Sequence, residues 1–578
     1  MDSDLFKERM KSNDGEAKIK PEFVAPSHRP ILSEDYTAEK DKRKCENESG
    51  NEPKKKRMRG QNKHRPIDSR IPREKKFCPA LLSESECKFG DKCCYIHDVA
   101  KYIEEKPSDV GEECYLFKTY GKCPFSVTCR FAGQHLTSTH TNIINDELWA
   151  NWKEKGNNFT NVLTKDLQFS LRKKGYDFSL ANNTVKKVQK SMASNVKIEE
   201  TNCEVDNHSG AVTDEGFIKL GPREIKKVNF NNQLYLAPLT TVGNLPFRRI
   251  CKGFGADITC SEMALSLNLL QGQQSEWALV KRHECESIFG VQLSGAHADV
   301  LSRCGQLMDE NCSIDFLDIN VGCPIDLVYQ KGAGCALMNR TRKFEEIVRS
   351  LKSFLKVPLT VKIRTGVHEN KNTAHTLIPK LRDWGVNLIS MHGRSREARY
   401  TKFADWDYIN ECAQLAQPIP LFGNGDVLSF EEYNYRLKDS SVDGIMIARG
   451  ALVKPWLFTE IKEQRHWDIS SSERLDILRN YVNFGLEHWG ADTEGVEKTR
   501  RFLLEWLSFL HRYIPVGILE RLPQRINERP PFYMGRDDLE TLMASANCAD
   551  WIKISELLLG PVSANFSFLP KHKANSFK

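Results

Sequence analysis

Short apolar runs alternate with longer amphipathic stretches between residues 226 and 468, and this alternation dominates the chain. We interpret eight of the runs as buried β-strands: Leu234 to Leu239, Ile258 to Glu262, Ile288 to Leu293, Ile314 to Asn320, Leu359 to Arg364, Leu388 to His392, Ile419 to Asn424 and Gly444 to Arg449. Their starts are 24 to 45 residues apart. This spacing leaves room for a crossover helix between parallel strands.

The number and order of these units predict the fold class. Eight strand–helix units in about 240 residues match an α/β TIM barrel, (β/α)8, whose strands are buried on both faces. An open doubly wound sheet is the alternative α/β fold, but no Gly-x-Gly-x-x-Gly turn follows the first predicted strand. The pattern therefore favours the barrel.

The predicted strands end in polar or reactive residues, at the positions where a barrel places its active site. These strand-end residues are Pro238, Leu239, Thr240, Glu262, Met263, Gln292, Asn320, Lys362, Arg364, His392, Arg394, Asn424, Gly425, Asp426, Ala448 and Arg449. One of them alone could be an ordinary hydrogen-bonded core group, but that explanation does not account for the whole set. A lysine inside a strand, such as Lys362, is costly to bury without an anion or a hydrogen-bonding ligand.

The fourth predicted strand leads into a turn that carries a cysteine. Pro324 stops the strand and Gly322 permits a sharp change of direction, so Cys323 is predicted to lie on a loop that faces a pocket. The alternative is a buried cysteine that acts as a small apolar residue. Cys335, which follows a glycine-rich turn, is a second candidate thiol.

Glycine-containing loops follow the last two predicted strands, at residues 423–426 and 448–451. In TIM barrels, the loops after strands seven and eight often bind a phosphate group through backbone N–H groups. Arg449 adds a guanidinium at this position, and Lys362 lies in the middle of the barrel. The arrangement indicates a flat, phosphorylated cofactor across the barrel mouth, and flavin mononucleotide (FMN) fits this description.

Two cysteine-rich segments precede the barrel, at residues 73–141. The first has the spacing of a CCCH zinc finger, with eight, five and three residues between Cys78, Cys87, Cys93 and His97. The second repeats the first two spacings with Cys114, Cys123 and Cys129, followed by His135 as the expected fourth ligand and His140 as the alternative. Each finger is expected to fold as a separate unit. Aromatic residues between the ligands are expected either to stack on unpaired RNA bases or to form the small finger cores.

Composition and charge describe the remaining segments. The chain has 578 residues, enough for three or four domains, and a formal net charge of +7. Residues 1–72 are polar and are predicted to be disordered, with a basic block at 53–59 that suits nuclear import or RNA contact. Residues 142–225 are interpreted as a connector followed by a polar linker at 181–216.

Helical periodicity resumes over residues 469–560, and residues 561–578 form a tail. Basic residues cluster in the helical region: Lys498, Arg500, Arg501, Arg512, Arg521, Arg525 and Arg529. Such a cluster is typical either of a nucleic-acid surface or of a solvated helix face.

Hydropathy bears on the expected compartment. No run of residues approaches the roughly 20 apolar positions of a membrane span, and the first residues lack the apolar core of a signal peptide. We therefore expect an intracellular protein, in the cytoplasm and nucleus, whose 18 cysteines are reduced.

Eight ordered motifs can be read along the barrel: Ala237-Pro238-Leu239-Thr240, Ser261-Glu262-Met263, Val291-Gln292-Leu293-Ser294-Gly295, Asp318 to Pro324, Lys331-Gly332-Ala333-Gly334, Val361 to Gly366, His392-Gly393-Arg394 and Asn424-Gly425-Asp426. In order and spacing they resemble the motifs of tRNA-dihydrouridine synthases over residues 226 to 465. The CCCH fingers resemble those of the eukaryotic subgroup that acts at position 47. The resemblance implies FMN, reduction of FMN by NADPH or NADH, and reduction of the uridine C5–C6 bond in tRNA.

The resemblance also implies roles for individual residues. Cys323 is the expected acid for C5, because a thiol with a pKa of about 8.5 is mostly protonated at neutral pH. Cofactor contacts are expected from Pro238, Leu239, Thr240, Gln292, Lys362, His392, Asn424, Gly425, Asp426, Ala448 and Arg449. Substrate contacts are expected from Asn320, Arg364 and Arg394. The helical region after the barrel is expected to bind tRNA, and the target uridine must leave the base stack.

Two other functions fit parts of the sequence. A flavin dehydrogenase of a free pyrimidine or of dihydroorotate would use the same barrel, but a small free substrate needs no fingers and no basic helical region. A zinc-finger RNA-binding protein with an inactive barrel would not need Cys323, Lys362 and the phosphate loops. The expected partners are therefore tRNA and NADPH, with messenger RNA as a second RNA class.

Overall fold

The computed structural model describes residues 15–25, 71–156, 158–200 and 226–571. The basic block at 53–59 and the part of the predicted linker at 201–225 lie outside the described residues. Two cysteine-rich modules, a connector, a barrel and a helical domain follow one another along the chain.

Eight parallel strands form the barrel. They are β1 (Tyr235–Leu236), β2 (Ile258–Cys260), β3 (Ile288–Ser294), β4 (Phe316–Asn320), β5 (Leu359–Arg364), β6 (Leu388–His392), β7 (Leu421–Asn424) and β8 (Gly444–Ile447). Each strand pairs in parallel with the next, and β8 pairs with β1, which closes the cylinder. The predicted TIM barrel is confirmed, although β1 and β2 are shorter than the apolar runs.

Helices between the strands cover the outside of the barrel. Their bounds are Leu245–Gly253, Ser266–Leu270, Gln274–Trp277, Ala298–Asn311, Asp326–Gln330, Thr341–Lys352, Ala374–Asp383, Trp406–Ala416, Phe430–Lys438, Arg449–Val453 and Leu457–Glu463. In helix Thr341–Lys352, the buried residues Phe344, Ile347 and Leu351 recur at helical spacing and form the face that packs inward.

Aromatic rings fill the barrel below its carboxyl ends. The ring of Tyr235 packs edge-on against Phe316 and Phe422, at centroid distances of 6.0 and 6.2 Å. Glycines make room for these rings, because a Cβ on Gly290 would lie 2.1 Å from Phe316 and one on Gly444 would lie 2.5 Å from Phe422. The interior is therefore a packed core and not a pore.

The connector is more ordered than its polar composition indicates. It forms helices Asp146–Lys155, Lys165–Arg172 and Ser179–Glu200, and residues Phe159–Thr160 pair with the barrel segment Arg282–His283. Ala181 and Val185 are buried, and the Ala181 N–H donates to Gln306 Oε1 at 3.0 Å. The prediction of a linker is therefore wrong for residues 181–200, because two small apolar residues at helical spacing are enough to dock a polar helix on the barrel.

The helical domain after the barrel consists of Ser471–Trp489, Thr493–Leu510, Asp538–Ala544 and Cys548–Leu559. Arg500 from the predicted basic cluster lies in its interior, where Nη2 donates to the carbonyls of Leu559 and Gly560 at 2.9 Å. The prediction that Arg500 belongs to an RNA-facing surface is therefore wrong. None of the helices in the described ranges is long and apolar enough to cross a membrane.

The cysteine-rich modules carry short helices at Pro79–Leu82, Val99–Glu105 and Tyr115–Tyr120. The second module is continuous with the helical domain: the Arg130 N–H donates to the Ala491 carbonyl at 2.8 Å, and Phe125 packs beside Gly490. Cys123 and Phe131 belong to the same apolar core as the barrel and the helical domain. The second finger is therefore not a separate unit, which corrects the expectation from sequence.

Candidate active site and metal clusters

A cavity of about 1410 Å³ opens at the carboxyl ends of the barrel strands. Most of the predicted cofactor and substrate residues line its barrel side: Pro238, Leu239, Thr240, Gln292, Asn320, Cys323, Lys362, Arg364, His392, Asn424, Gly425, Asp426, Ala448 and Arg449. Parallel strands deliver all of these side chains to one end of the barrel, which is why residues as far apart in sequence as Pro238 and Arg449 meet there.

The helical domain supplies the opposite side of the cavity. Its lining residues include His511, Arg512, Asn527, Arg529, Phe532, Met534, Asn547 and Lys553. Sequence reasoning placed only Arg512 and Arg529 in a basic cluster and did not assign them to the barrel mouth. Residues in this domain show no strand-end periodicity, so their position depends on how the two domains pack.

The turn that carries Cys323 is held from two sides. The Asn320 side-chain oxygen accepts from the N–H groups of Gly322 and Cys323 at 3.2 and 2.8 Å. Arg364 Nε donates to the Gly322 carbonyl at 2.7 Å. Asn320 and Arg364 were predicted to contact the substrate, and both also fix the position of the thiol.

A buried hydrogen-bond chain fixes the orientation of Asn320. Its Nδ2 donates to Gln292 Oε1 at 2.7 Å, Gln292 Nε2 donates to Asp318 Oδ2 at 2.7 Å, and Thr360 Oγ1 donates to Asp318 Oδ1 at 2.6 Å. Burial raises the pKa of Asp318 to about 6, against the hydrogen bonds from Thr360 and Gln292, which lower it. Sequence reasoning missed Thr360, because a threonine within a strand gives no signal of such a contact.

Cys323 and Cys335 differ in access to the cavity. Cys323 is 7% exposed and lines the cavity, whereas Cys335 is 0% exposed and lies behind it. Burial raises the pKa of Cys323 above its ordinary value and raises that of Cys335 to about 11. Both thiols are therefore protonated at neutral pH, but only Cys323 faces space that a substrate can enter.

Lys362 presents an ammonium group to the cavity from the middle of β5. Burial, followed by the charge of Arg364, lowers its pKa to about 8, while Asp318 opposes this shift. Its Nζ has no hydrogen-bond partner among the described residues and is partly exposed to the cavity. A donor held at the cavity wall without a protein partner fits a ligand that presents hydrogen-bond acceptors.

Two arginines converge on Asp426 beside the cavity. Its carboxylate accepts from Arg394 Nη2 at 2.6 Å, from Arg449 Nη2 at 2.9 Å and from the Ala404 N–H at 2.7 Å. Arg449 lines the cavity, but Arg394 does not, and its Nε donates instead to the Lys402 carbonyl at 2.9 Å. Arg394 is 2% exposed, so the structure does not bring its guanidinium to the cavity, and the substrate contact expected of it stays a prediction.

Tyr400 is a cavity residue that sequence reasoning missed. Its ring stacks on His392 at a centroid distance of 5.9 Å, and the Arg449 guanidinium lies over it at 4.6 Å. Burial, with the nearby arginines, lowers the pKa of His392 well below its ordinary value. His392 is therefore neutral at physiological pH and contributes a hydrogen-bonding edge, not a positive charge.

The two predicted CCCH sets form two compact clusters: Cys78, Cys87, Cys93 and His97, and Cys114, Cys123, Cys129 and His135, with ligand atoms within 4.8 Å of one another. Nε2 of His97 and of His135 is buried without a hydrogen-bond partner. In the second cluster, His135 Nδ1 lies 3.2 Å from Asn142 Oδ1, which leaves Nε2 directed at the thiols. Both sets fit a tetrahedral metal ion, and His135, not His140, completes the second.

Comparisons with known proteins agree with this geometry. Residues 235–503 match the family model described as dihydrouridine synthase (Dus), and residues 69–105 and 106–138 match the DUS3L CCCH zinc finger domain. A Xenopus tropicalis protein named tRNA-dihydrouridine(47) synthase, NAD(P)(+)-like, is 58% identical over 98% of this chain and 91% of its own length. Proteins with the same name from Homo sapiens and Oryza sativa subsp. japonica are 58% and 43% identical, covering 90% and 85% of this chain and 85% and 84% of their own lengths. The relatives match nearly the whole length of this chain, and its barrel mouth and two Cys3His clusters agree with the match. The chain belongs to the tRNA-dihydrouridine(47) synthase family.

Proposed function

We propose that this protein reduces the C5–C6 bond of uridine 47 in tRNA to 5,6-dihydrouridine, with NADPH as electron source and FMN as bound cofactor. The observation that carries the proposal is the position of Cys323 and Lys362 on one cavity at the barrel mouth. The position of the uridine and the use of NAD(P) follow the names of the relatives.

The barrel side of the cavity suits FMN. Lys362 offers unpaired N–H donors to the flavin ring, and Arg449 lies at the loops after β7 and β8, where a phosphate group binds in this fold. Gly450 keeps the second loop tight, because a Cβ there would lie 2.2 Å from the Val427 carbonyl oxygen. When bound, FMN supplies hydride transfer between NADPH and C6 of the uracil.

Cys323 supplies the proton in this proposal. Hydride addition at C6 leaves negative charge at C5 and O4, and the Cys323 thiol donates its proton to C5. The high pKa caused by burial keeps the thiol protonated before the reaction. Asn320 and Arg364 position the thiol through the backbone of its turn.

The two-sided cavity suits a nucleotide that has left the RNA stack. The reactive residues lie at the barrel end, and the helical domain adds Arg512, Arg529 and Lys553 to the opposite side. A uridine within a helix cannot reach Cys323, so the target base must be flipped out. The arginines on the helical side of the cavity then lie next to the sugar–phosphate backbone.

Zinc is the metal proposed for both Cys3His clusters, since it prefers four thiolate and imidazole ligands in closed structural sites. Location in cytoplasm and nucleus and use of messenger RNA are further proposals. They rest on the basic block at 53–59 and on the fingers.

A half-reaction assay tests the proposed function. Purified protein is expected to bind flavin, to lose its yellow absorbance with NADPH, and to recover it with unmodified tRNA but not with free uridine. A tRNA with cytidine at position 47 serves as the control and should not restore the absorbance. Recovery with free uridine would instead support a free-pyrimidine dehydrogenase, and absence of flavin would support an inactive RNA-binding protein.

The pH dependence of tRNA modification is expected to follow the Cys323 thiol. Because burial raises its pKa, the acid form is retained above the ordinary thiol pKa and is lost only as the pH rises through the higher folded value. Single-turnover oxidation of the reduced protein by tRNA should therefore be level from pH 7 to about 9 and fall above it. A fall that begins near pH 8 would assign the dependence to Lys362 instead.

Replacing Arg449 with alanine is expected to weaken FMN binding. Loss of one charged phosphate partner costs about 1.5–3 kcal/mol, equivalent to a roughly 10- to 150-fold higher Kd. Asp426 stays paired with Arg394 in this variant, so no carboxylate is left alone. Fluorescence titration of apoprotein measures the Kd, and Arg382→Ala on the outer surface is the control. Equal Kd values for the two variants would assign the phosphate to another residue.

A further inference from the structure

An N-terminal segment far from the barrel in sequence packs against the helical domain. Residues 15–25 lie along the loop that joins helix Thr493–Leu510 to helix Asp538–Ala544. Ala17 and Ile19 are 5% and 7% exposed and share an apolar cluster with Ile514, Ile518, Leu519 and Tyr533. The prediction of disorder for residues 1–72 is therefore wrong for this segment, because a hydrophobic partner surface lies elsewhere in the chain.

Backbone hydrogen bonds tie this segment to the loop along its whole length. Six of them connect the two: Ala17 N–H to Arg529, Lys20 N–H to Ile518, Ala25 N–H to Phe532, Glu520 N–H to Lys18, Arg529 N–H to Gly15 and Met534 N–H to Phe23, each at 2.9 to 3.1 Å. Lys20 Nζ also donates to the Gly517 carbonyl at 2.7 Å. The segment, which has a 3-10 turn of its own at Pro21–Phe23, pairs with the loop through three isolated backbone bridges, Glu16 with Arg529, Ile19 with Leu519 and Val24 with Tyr533.

The braced loop forms part of the cavity wall. Phe532 and Met534 line the cavity and are 55% and 57% exposed, while Tyr533 between them is buried against the segment. This alternation is that of a strand, with one side chain inward and its neighbours outward. Ala25 itself lines the cavity, so the segment reaches the rim.

Two large apolar side chains beside an active site need a reason to be exposed. RNA bases offer flat apolar faces, and stacking on aromatic or apolar side chains tolerates any base sequence. Arg512 and Arg529 line the same side of the cavity, and Lys553 lies there paired with Asp550 at 2.9 Å, so guanidinium groups are within the cavity for the neighbouring phosphates. The chemistry of this rim therefore matches unstacked nucleotides on either side of a flipped base.

We propose that residues 15–25 contribute to tRNA binding by holding the loop before helix Asp538–Ala544 in place. In this conformation, the loop presents Phe532 and Met534 to the bases that flank the target uridine. The proposal rests on the proposed function for the identity of the RNA. The segment positions the loop and takes no part in the chemistry at Cys323.

Three variants of the full-length holoprotein test this. Ile19→Asp places a charge in the apolar cluster and should release residues 15–25 from the loop. Glu22→Ala is the control, because it changes an exposed residue of the same segment. Phe532→Ala removes one stacking surface. Ile19→Asp and Phe532→Ala are each expected to raise the Kd for tRNA about 5- to 150-fold, the range of one stacked base. FMN content and NADPH oxidation should match those of the wild type in Ile19→Asp and Glu22→Ala.

Two further readouts separate this role from general destabilisation. Hydrogen exchange at the amides of Glu520, Arg529 and Met534 should become fast in Ile19→Asp and stay slow in Glu22→Ala. The salt dependence of tRNA binding should keep its slope in Phe532→Ala, since stacking releases no counterions. The proposal would be overturned if Phe532→Ala bound tRNA as tightly as the wild type. It would also be overturned if Ile19→Asp did so while its loop amides exchanged fast. Failure of the wild type to form dihydrouridine would overturn the proposed function alone, because tRNA binding is measured without turnover.

Discussion

Cys323→Ala is expected to lower the rate of dihydrouridine formation by a factor of about 10² to 10⁴, the usual contribution of a positioned general acid. The reduction of bound flavin by NADPH should stay at the wild-type rate, because the thiol donates its proton only after the hydride reaches the uracil. Rapid-mixing absorbance measurements with NADPH and then with tRNA separate the two half-reactions.

Cys335→Ala is the matched control for this prediction. Cys335 lies next to Cys323, with its N–H 3.3 Å from the Cys323 carbonyl oxygen, but it does not line the cavity. Its replacement should leave both half-reactions near the wild-type rate, at a small cost in packing. A slow tRNA step in Cys335→Ala together with a fast one in Cys323→Ala would reverse the assignment of the acid.

Cys123→Ser is expected to have the largest effect on stability. Binding of a structural zinc ion is also folding energy, about 10–16 kcal/mol in isolated fingers. The second finger is fused to the helical domain through Arg130, Phe125 and the shared apolar core. Loss of its metal should therefore disorder the adjoining face of the helical domain, lower the Tm of the whole protein by several degrees and abolish tRNA binding.

The first finger provides the comparison. Its ligands Cys87 and Cys93 are partly exposed, and its small core of Phe77, Ile96 and Tyr102 meets the second finger at Val127. Cys87→Ser should remove one equivalent of zinc and leave the Tm of the barrel and the helical domain unchanged. Metal analysis and calorimetry measure both quantities, and equal loss of Tm in the two variants would contradict the structural distinction between the fingers.

The integration of the second finger changes the expected outcome of a truncation. Deleting residues 1–141 removes both fingers and the segment at 15–25, and it uncovers the helical domain around Gly490 and Gly560, where Phe125 and Val110 pack. Sequence alone indicates a clean domain boundary there. The structure shows that this deletion would damage the remaining protein, so single-ligand variants are the better test of the fingers.

The sequence by itself determined the barrel, the reactive residues and the metal ligands. Each depends on local information: apolar runs of strand length, turns fixed by Gly322 and Pro324, and cysteine spacing within about 20 residues. Topology then carries the strand ends to one rim, so Cys323 and Lys362 were placed correctly without any long-range contact being known.

Only the tertiary structure decided which polar residues face the cavity and which polar segments are ordered. Arg394 and Arg449 follow similar strand-end motifs and both pair with Asp426, yet only Arg449 of the two lines the cavity. Arg500 is buried because the last helix ends on it. Residues 15–25 and 181–200 are too polar to fold alone and become ordered on surfaces supplied by distant parts of the chain. Burial and pairing are properties of contacts across the fold, and local composition does not contain them.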